Sequence, residues 1–469
     1  MYHVETINIK CDTPFFEFCS DITNKAKNMF NVSNFYIRNT MTGIKKDDKE
    51  ITDNEKEVLD IVSEAIAAAN KKNETKGKSK QFKLPTEKKW FLGYNTLDAI
   101  FKESNNVDYR ATHIHVAQNV IKECVKAWKS YFSLLKIYNK DNKTLSGMPK
   151  IPKYCKSEHK TAVLSNIAAY IKDGALHIPY AKVTFDVSNV PHASTDKFIE
   201  ARIIPYYDIY QLQLVTDDLT ESKEIDKSII IPDDAGIMSI DPGVENFATI
   251  VDNKGFTPII IKGRYLKSLN QYYNKARAKY QSILMQGHDS KKYHYKETKR
   301  LKTISRKRDE KLRNAFYKTA HYICRVAINR NIEYIVFGKN DGWKNKVNTG
   351  HKNNQEFVQL PHAEFLNVLT TVSQKYNITV VTQNESYSSK ASFLDNDFVP
   401  DYNANSEEEY VFSGRRTKRG LYKTANGIIL NADVNGAANI LKKKVSNAFK
   451  NITDFSYLYN TVQAVKVPV

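Results

Sequence analysis

The sequence has no apolar run approaching the ~20 residues of a membrane-spanning helix. Its first residues, Met-Tyr-His-Val-Glu, have neither the basic nor the apolar region of a signal peptide. A membrane-bound or exported chain is therefore not expected, and a cytoplasmic one is. Cysteine is scarce. Cys11, Cys19, Cys124, Cys155 and Cys324 include no Cys-x-x-Cys pair and are odd in number, so neither a structural zinc nor a disulfide framework is expected. Acidic residues are also short: 52 Asp and Glu stand against 71 Lys and Arg, for a formal net charge of +19. So basic a chain should bind a polyanion, with nucleic acid the first candidate. With 469 residues, 41% of them hydrophobic, it can bury the cores of roughly two to four domains.

What is present begins with a strand pattern. Residues 2–10, Tyr-His-Val-Glu-Thr-Ile-Asn-Ile-Lys, alternate apolar and polar. Helical patterns follow at 25–31, 54–73, 97–101 and about 110–138. In the longest, Val116, Val120, Ile121, Cys124, Val125, Trp128 and Tyr131 recur at helical spacing. Residues 71–80 are polar, basic and expected to be mobile. From Gly147, short strand patterns at 175–178, 181–187, 198–204 and 210–215 alternate with Pro, Gly and Asn. They argue for a small β-barrel or sandwich, which the first strand joins, with the helical block as an insertion. The acidic stretch 216–234 reads as a domain linker.

The next stretch, Gly236-Ile-Met-Ser-Ile-Asp-Pro-Gly243, is an apolar run that delivers Asp241 to a tight turn. The chain resumes as a strand at 247–251 and again near 256–261. Asp-Pro-Gly is also ordinary turn chemistry, so other acids must decide its meaning. A helix at about 313–329 leads to a strand at 333–337, and one at about 361–376 leads to a strand at 378–382, with Glu385 just past its end. Strands alternating with helices form a mixed sheet whose functional edge is the carboxyl end of the strands. Asp433 falls in the first turn of a helix capped by Asn431, where the helix dipole favours its charge. Gly436, Ala437 and Ala438 are small enough to bring that turn against a sheet.

Residues 262–318 carry 18 Lys or Arg against 4 Asp or Glu, a net of +14, interleaved with Tyr265, Tyr272, Tyr273, Tyr280, Tyr293 and Tyr295. A solvated pair of charged helices is the plain alternative. The lopsided charge, read as lacking acids at i,i+4 spacing, favours contact with phosphates and bases. Candidate contacts are Lys275, Arg277, Lys302, Arg306, Arg308 and Arg313 here, and Lys339, Trp343, Lys344, Arg415, Arg416 and Arg419 further on.

Six stretches carry a resemblance: Ile240-Asp-Pro-Gly-Val-Glu-Asn-Phe-Ala-Thr249, Phe337-Gly-Lys-Asn-Asp-Gly-Trp-Lys344, Asn353-Asn-Gln-Glu-Phe-Val-Gln359, Glu385-Ser-Tyr-Ser-Ser-Lys-Ala-Ser-Phe-Leu394, Ser413-Gly-Arg-Arg-Thr-Lys-Arg-Gly-Leu-Tyr422 and Asn431-Ala-Asp-Val-Asn-Gly-Ala-Ala-Asn-Ile440. In this order they resemble the transposon-encoded TnpB (OrfB) family, which is ancestral to the type V CRISPR effectors. The N-terminal half matches more loosely, through Asp108-Tyr-Arg110, Ala127-Trp-Lys129 and Pro149-Lys-Ile-Pro-Lys-Tyr154.

The resemblance implies a multidomain α/β protein: an RNase H-like RuvC nuclease domain at 233–469, and a wedge β-barrel at 1–12 and 147–232 with a helical recognition lobe inserted at 13–146. A basic helical insertion at 263–330 and a target-nucleic-acid-binding insertion at 387–430 interrupt the nuclease domain. It also implies the activity, an RNA-guided DNA endonuclease that takes its guide RNA from a transposon end and cuts double-stranded DNA beside a short motif. A compact CRISPR effector using a CRISPR RNA stays open, as do a nuclease-inactive repressor and a non-catalytic RNA-binding protein.

Two departures from the family pattern matter. Most members place the second catalytic acid at the end of the strand that here closes in Gly338-Lys339, and neither residue can bind a cation; Glu333 opens that strand, at the opposite edge. Glu385 resembles the relocated glutamate of a subset. The second departure is that 388–430 contains no cysteine where many relatives have a zinc ribbon. Phe393, Leu394, Val399, Tyr402, Tyr410, Val411 and Phe412 are left to form a small metal-free core.

The chemistry expected of Asp241, Glu385 and Asp433 is phosphodiester hydrolysis with two Mg²⁺ ions about 4 Å apart, Mn²⁺ substituting, since hard cations suit an all-carboxylate site. Asp241 is expected to bridge both ions, and Glu385 and Asp433 each to complete one. No protein nucleophile is needed.

Overall fold

Alternating polar and apolar residues build the first strand, β1 (Tyr2–Ile9). Helix α1 (Pro14–Gly43) starts on a proline, which lacks the N–H that would have no partner there. It is far longer than the 25–31 expected because polar residues interrupt its buried stripe. Thr23, Ser33, Asn34 and Thr40 are all buried, and the first two tie their hydroxyls back to Cys19 O (2.7 Å) and Met29 O (2.8 Å). These are bonds available within a helix but invisible to an apolar count.

Helix α2 (Asp53–Thr75) opens on a capping box formed by Thr52 and Glu55. It runs through residues 71–75, so that part of the segment expected to be mobile is helical; residues 78–80 lie outside the described ones. Then come α3 (Tyr94–Glu103), α4 (Val107–Arg110) and α5 (Ile114–Lys140). Trp128 of α5 is fully buried against Trp90, Phe91 and Phe132, and its indole N–H donates to Asn34 Oδ1 at 2.9 Å.

The strands β2 (Ala162–Ser165), β3 (Tyr170–Lys172), β4 (Ala175–Ile178), β5 (Val183–Asp186), β6 (Lys197–Tyr206) and β7 (Ile209–Asp217) make two antiparallel sheets, ordered β1-β7-β6-β2 and β3-β4-β5. β7 continues to Asp217, which pairs with Tyr2, so the acidic linker starts later than 216; residues 220–228 lie outside the described ones. Helices and strands share one core that includes Phe15, Ile37, Trp128, Ala201 and Leu212.

The structure, a computed structural model, describes residues 2–47, 49–77, 81–142, 144–219, 229–288, 297–339, 360–401, 409–418 and 420–467. The chain divides into two compact units, Met1–Glu224 and Ile225–Val469.

The second unit opens with a meander, β8 (Ile237–Pro242), β9 (Asn246–Asp252) and β10 (Ile259–Lys262). It is followed by α6 (Arg264–Met285), α7 (Lys299–Asn329), β11 (Tyr334–Lys339), α8 (His362–Gln374) and β12 (Thr379–Asn384). After β13 (Arg415–Lys418), β14 (Leu421–Lys423) and β15 (Ile429–Asn431) come α9 (Ala432–Lys444) and β16 (Gln463–Lys466). The main sheet has the order β12-β11-β8-β9-β10-β16, with β11 parallel to β8 and β12, and β9 antiparallel to its neighbours. This is the mixed α/β sheet that the resemblance implies.

Both faces of the sheet are covered, so its strands are nearly continuous apolar runs. Met238 and Ile240 join the core of Phe316 on α7 and Phe365 on α8. Ile237 and Val336 join Val434, Ala437 and Ile440 of α9 on the other face. Ser239 follows the same parity and donates its hydroxyl to Ala437 O at 2.7 Å. No helix among the described residues is long and apolar enough to cross a membrane.

One buried ion pair locks the far end of the sheet. Asp252 is fully buried and accepts from Arg330 at 2.7 Å and from the Lys254 and Phe256 backbone N–H groups. Even so, burial raises its carboxyl above the ordinary range. Arg330→Ala, which strands that charge, should cost about 3–5 kcal/mol, read as a lower denaturant midpoint for the second unit.

Candidate active site

Strand parity directs Asp241 to the α9 face, two residues beyond Ser239. There Gly436 makes the close approach possible: a Cβ at 436 would lie 2.6 Å from Asp241 Oδ2. Asn431 caps α9, accepting from the Asp433 N–H at 2.9 Å and the Val434 N–H at 3.3 Å, which sets Asp433 in the first turn. The Asp433 carboxylate accepts from Asn246 Nδ2 at 2.6 Å, and Asn246 Oδ1 accepts from Lys262 Nζ at 3.0 Å. Arg416 on β13 stands 3.7 Å from Asp433 Oδ1.

Glu385 directly follows β12, its N–H donating to Lys339 O at 3.3 Å at the end of β11. A Cβ at Gly338 would meet Glu385 Oε2 at 2.9 Å and Ile440 Cδ1 at 2.8 Å. The glutamate carboxyl thus fills the space into which a side chain at the end of β11 would project. Glu333 is elsewhere, donating its N–H to Gly236 O at the start of β8.

The electrostatics tie the three acids together. Burial raises Asp241 well above the ordinary carboxylate range, the charges of Glu385 and Asp433 raise it further, and Arg416 opposes them. Burial pushes Glu385 up to about 7, and its Oε2 is buried with no hydrogen-bond partner. An orphaned carboxylate oxygen beside two further carboxylates is a donor set for a hard divalent cation. Among the described residues, the three do not bring one oxygen each within 4.8 Å of one another as a set.

A pH prediction follows. Glu385 titrates near 7 in the folded state against an ordinary 4.5, so the metal-free folded chain holds an extra proton between those values. The contribution of Glu385 to stability is therefore fully present below 4.5 and is lost as pH rises from there through 7. Relative to Glu385→Gln, the parent should lose roughly 3 kcal/mol between pH 4.5 and 8, measured by denaturant unfolding in chelator.

The basic candidates are more mixed. Lys275 and Arg313 are exposed, the latter over the Tyr317 ring, and Lys302 is partly buried. Arg277 and Arg308 line a cavity of about 400 Å³ with Tyr273, Asp309, Leu312, Pro361 and Glu364. Arg277 donates to the Tyr273 hydroxyl at 2.7 Å, and Arg308 to Asn270 Oδ1 at 2.9 Å and Asp309 Oδ1 at 2.8 Å. Arg306 pairs with Glu310 at 3.1 Å, which corrects the reading that this segment lacks i,i+4 acids. Lys339, Arg415 and Arg416 are exposed. Trp343, Lys344, Arg419 and the 353–359 stretch lie outside the described residues, as do Tyr293 and Tyr295.

The 387–430 insertion does not keep its aromatics in a core of its own. Phe393 is buried against Phe449 and Phe455 in the core over α9, Tyr410 and Phe412 pack on Tyr387, and Val411 is 95% exposed. Tyr402 lies outside the described residues. The small core is instead Tyr422, Leu430 and Ala432 with Leu394, and the Tyr422 hydroxyl donates to Lys390 O at 2.7 Å. Sequence reasoning missed Asn246, Lys262 and the cradle role of Gly338, while it read Gly436 as small enough to bring the first turn of α9 against the sheet.

Two family profiles match this unit. The probable transposase profile OrfB of IS605 matches residues 231–344, and the Cas12f1-like TNB domain profile matches 362–440. No curated protein matches the chain. Among solved structures, similar chains occur in a cryo-EM structure of the Cas12f1–sgRNA–target DNA complex (14% identity, 94% of this chain and 100% of that one, TM-score 0.31) and in one of a CRISPR–Cas12f ternary complex (16%, 90% and 80%, 0.30). Another is in a crystal structure of an AacC2c1–sgRNA–extended non-target DNA ternary complex (8%, 90% and 70%, 0.34). Both profiles fall in order on the second unit, which is similar to the OrfB (TnpB) transposases over 231–344 and to the Cas12f1-like TNB domain over 362–440.

Proposed function

We propose that the protein is an RNA-guided, metal-dependent DNA endonuclease of RuvC type, cutting double-stranded DNA beside a short motif. The observation that carries this reading is the convergence of Asp241, Glu385 and Asp433 on one edge of the mixed sheet, in a chain with two matching profiles. Asp241, Glu385 and Asp433 would hold the divalent cations, two Mg²⁺ with Mn²⁺ able to replace them. When bound, such ions neutralise charge on the phosphodiester being hydrolysed.

The chain's own residues do the rest. Gly436 lets Asp241 sit against α9, Asn246 and Lys262 fix the Asp433 carboxylate, and Gly338 leaves room for Glu385. Arg416, near Asp433, is positioned to meet a phosphate. The exposed Lys275, Arg313, Lys339 and Arg415 would neutralise the nucleic-acid backbone. In this reading residues 13–146 recognise the guide and heteroduplex, and the strands of 1–12 and 147–232 form the wedge.

The guide is a transposon-end RNA in the main reading. The Cas12f1-like match at 362–440 favours a second, a compact CRISPR effector with a CRISPR RNA. Sequencing the RNA that co-purifies with the protein tests both. A discrete structured RNA ending in a variable segment is expected, and random cellular RNA would overturn the guided reading.

A further inference from the structure

We infer that the first unit contains a second metal site, for a transition ion of the zinc type, formed by His3, His192 and Asp196. The three side chains can each offer one ligand atom, all within 4.8 Å of one another, and no other such group occurs among the described residues. His3 lies on β1, while His192 and Asp196 lie just before β6. Both strands pair with β7, with His3 and Phe198 each opposite Thr216. Residues distant in sequence therefore meet at one end of one sheet.

The local chemistry favours a cation over two independent imidazole–carboxylate pairs. The His3 and His192 rings stack in parallel, with centroids 4.0 Å apart and planes 1° apart. A neutral imidazole offers one ring nitrogen as a lone-pair donor to a cation. The Asp196 side chain is 9% exposed, and its Oδ2 lies 3.1 Å from His192 Nδ1. Nonetheless that oxygen is buried without a hydrogen-bond partner, since the approach lacks hydrogen-bond geometry. A bound ion would satisfy it.

Behind His3, Asp218 Oδ2 stands 3.1 Å from Nε2. A carboxylate there orients a ligating imidazole through its second nitrogen and leaves Nδ1 for the metal. Two imidazoles and one carboxylate select Zn²⁺ or a similar ion over Mg²⁺, which prefers oxygen and water. This departs from the expectation of no structural zinc, which the scarcity of cysteine supports for thiolate ligands but not for a His–His–Asp set. The site would clip β1 to the entrance of β6, so chelators should act on the protein in two ways, one reversed by Mg²⁺ and the other by Zn²⁺.

The test uses the full chain, stripped with chelator and titrated with Zn²⁺ in excess Mg²⁺. One equivalent of zinc should bind and, at a hundredfold excess over its dissociation constant, raise the melting midpoint of the first unit by roughly 5 °C. His3→Gln and His192→Gln should each lose that equivalent. In parallel, Zn²⁺ but not Mg²⁺ should protect His3 and His192 of the parent from diethylpyrocarbonate, a readout that needs no variant to fold. No zinc uptake over the Mg²⁺ background, undiminished uptake by folded His192→Gln, or equal modification with and without Zn²⁺ would each overturn the site.

Discussion

Replacing Asp241 by Asn is expected to lower DNA cleavage by about a thousandfold or more, because a site that loses its central anion loses several kcal/mol of transition-state stabilisation. Binding of guide RNA and target DNA should stay close to the parent, since the substitution keeps the shape of a residue that faces α9. The fold should gain rather than lose stability at neutral pH. The Asp241 carboxyl is raised first by burial and then by the charges of Glu385 and Asp433, and Asn removes that charge without emptying space. Loss of activity with a raised melting midpoint separates a functional charge from a structural one. Cleavage assays paired with thermal melts check both halves.

The second large effect concerns the exchange between strand ends. A side chain at 338 would project onto Glu385 Oε2, so a carboxylate could reach this spot from either strand. Glu385→Ala should be inactive, and Gly338→Asp alone should be poorly active and less stable, because two carboxyls then compete for one space. The double variant should recover at least about tenfold over Glu385→Ala, a non-additive coupling that independent sites would not show. Failure of the double variant to exceed Glu385→Ala, while folded, would contradict the shared-space account.

Legibility in the sequence followed the range of the interactions. Asn431 was readable as a cap because its bonds reach only two and three residues ahead. Asp241 was readable as a strand-end acid because β8 is a continuous apolar run. Glu385 needed the resemblance as well as its place after β12, since a lone acid past a strand carries little signal. The supports were only partly readable: Gly436 could be read as bringing the first turn of α9 close to the sheet, but that it meets Asp241, and that Asn246 meets Asp433, depends on contacts across long sequence separations. Helix α1 hid behind buried hydroxyls, and the start of α7 behind a run of charge in which only Leu301 and Ser305 are buried before Leu312. The insertion misled in the other direction: its apolar residues were assigned to one small core, but Phe393 serves the main layer and Val411 serves none.

The central claim is that Glu385, not an acid on β11, completes the carboxylate set with Asp241 and Asp433. The measurement that tests it most directly is Mg²⁺-dependent cleavage of a guide-matched double-stranded target by Glu385→Gln and Glu333→Gln, with guide and target binding measured alongside. The account predicts cleavage abolished by Glu385→Gln with binding retained, and near-parental cleavage by Glu333→Gln. Cleavage that survives Glu385→Gln and is lost with Glu333→Gln would contradict it.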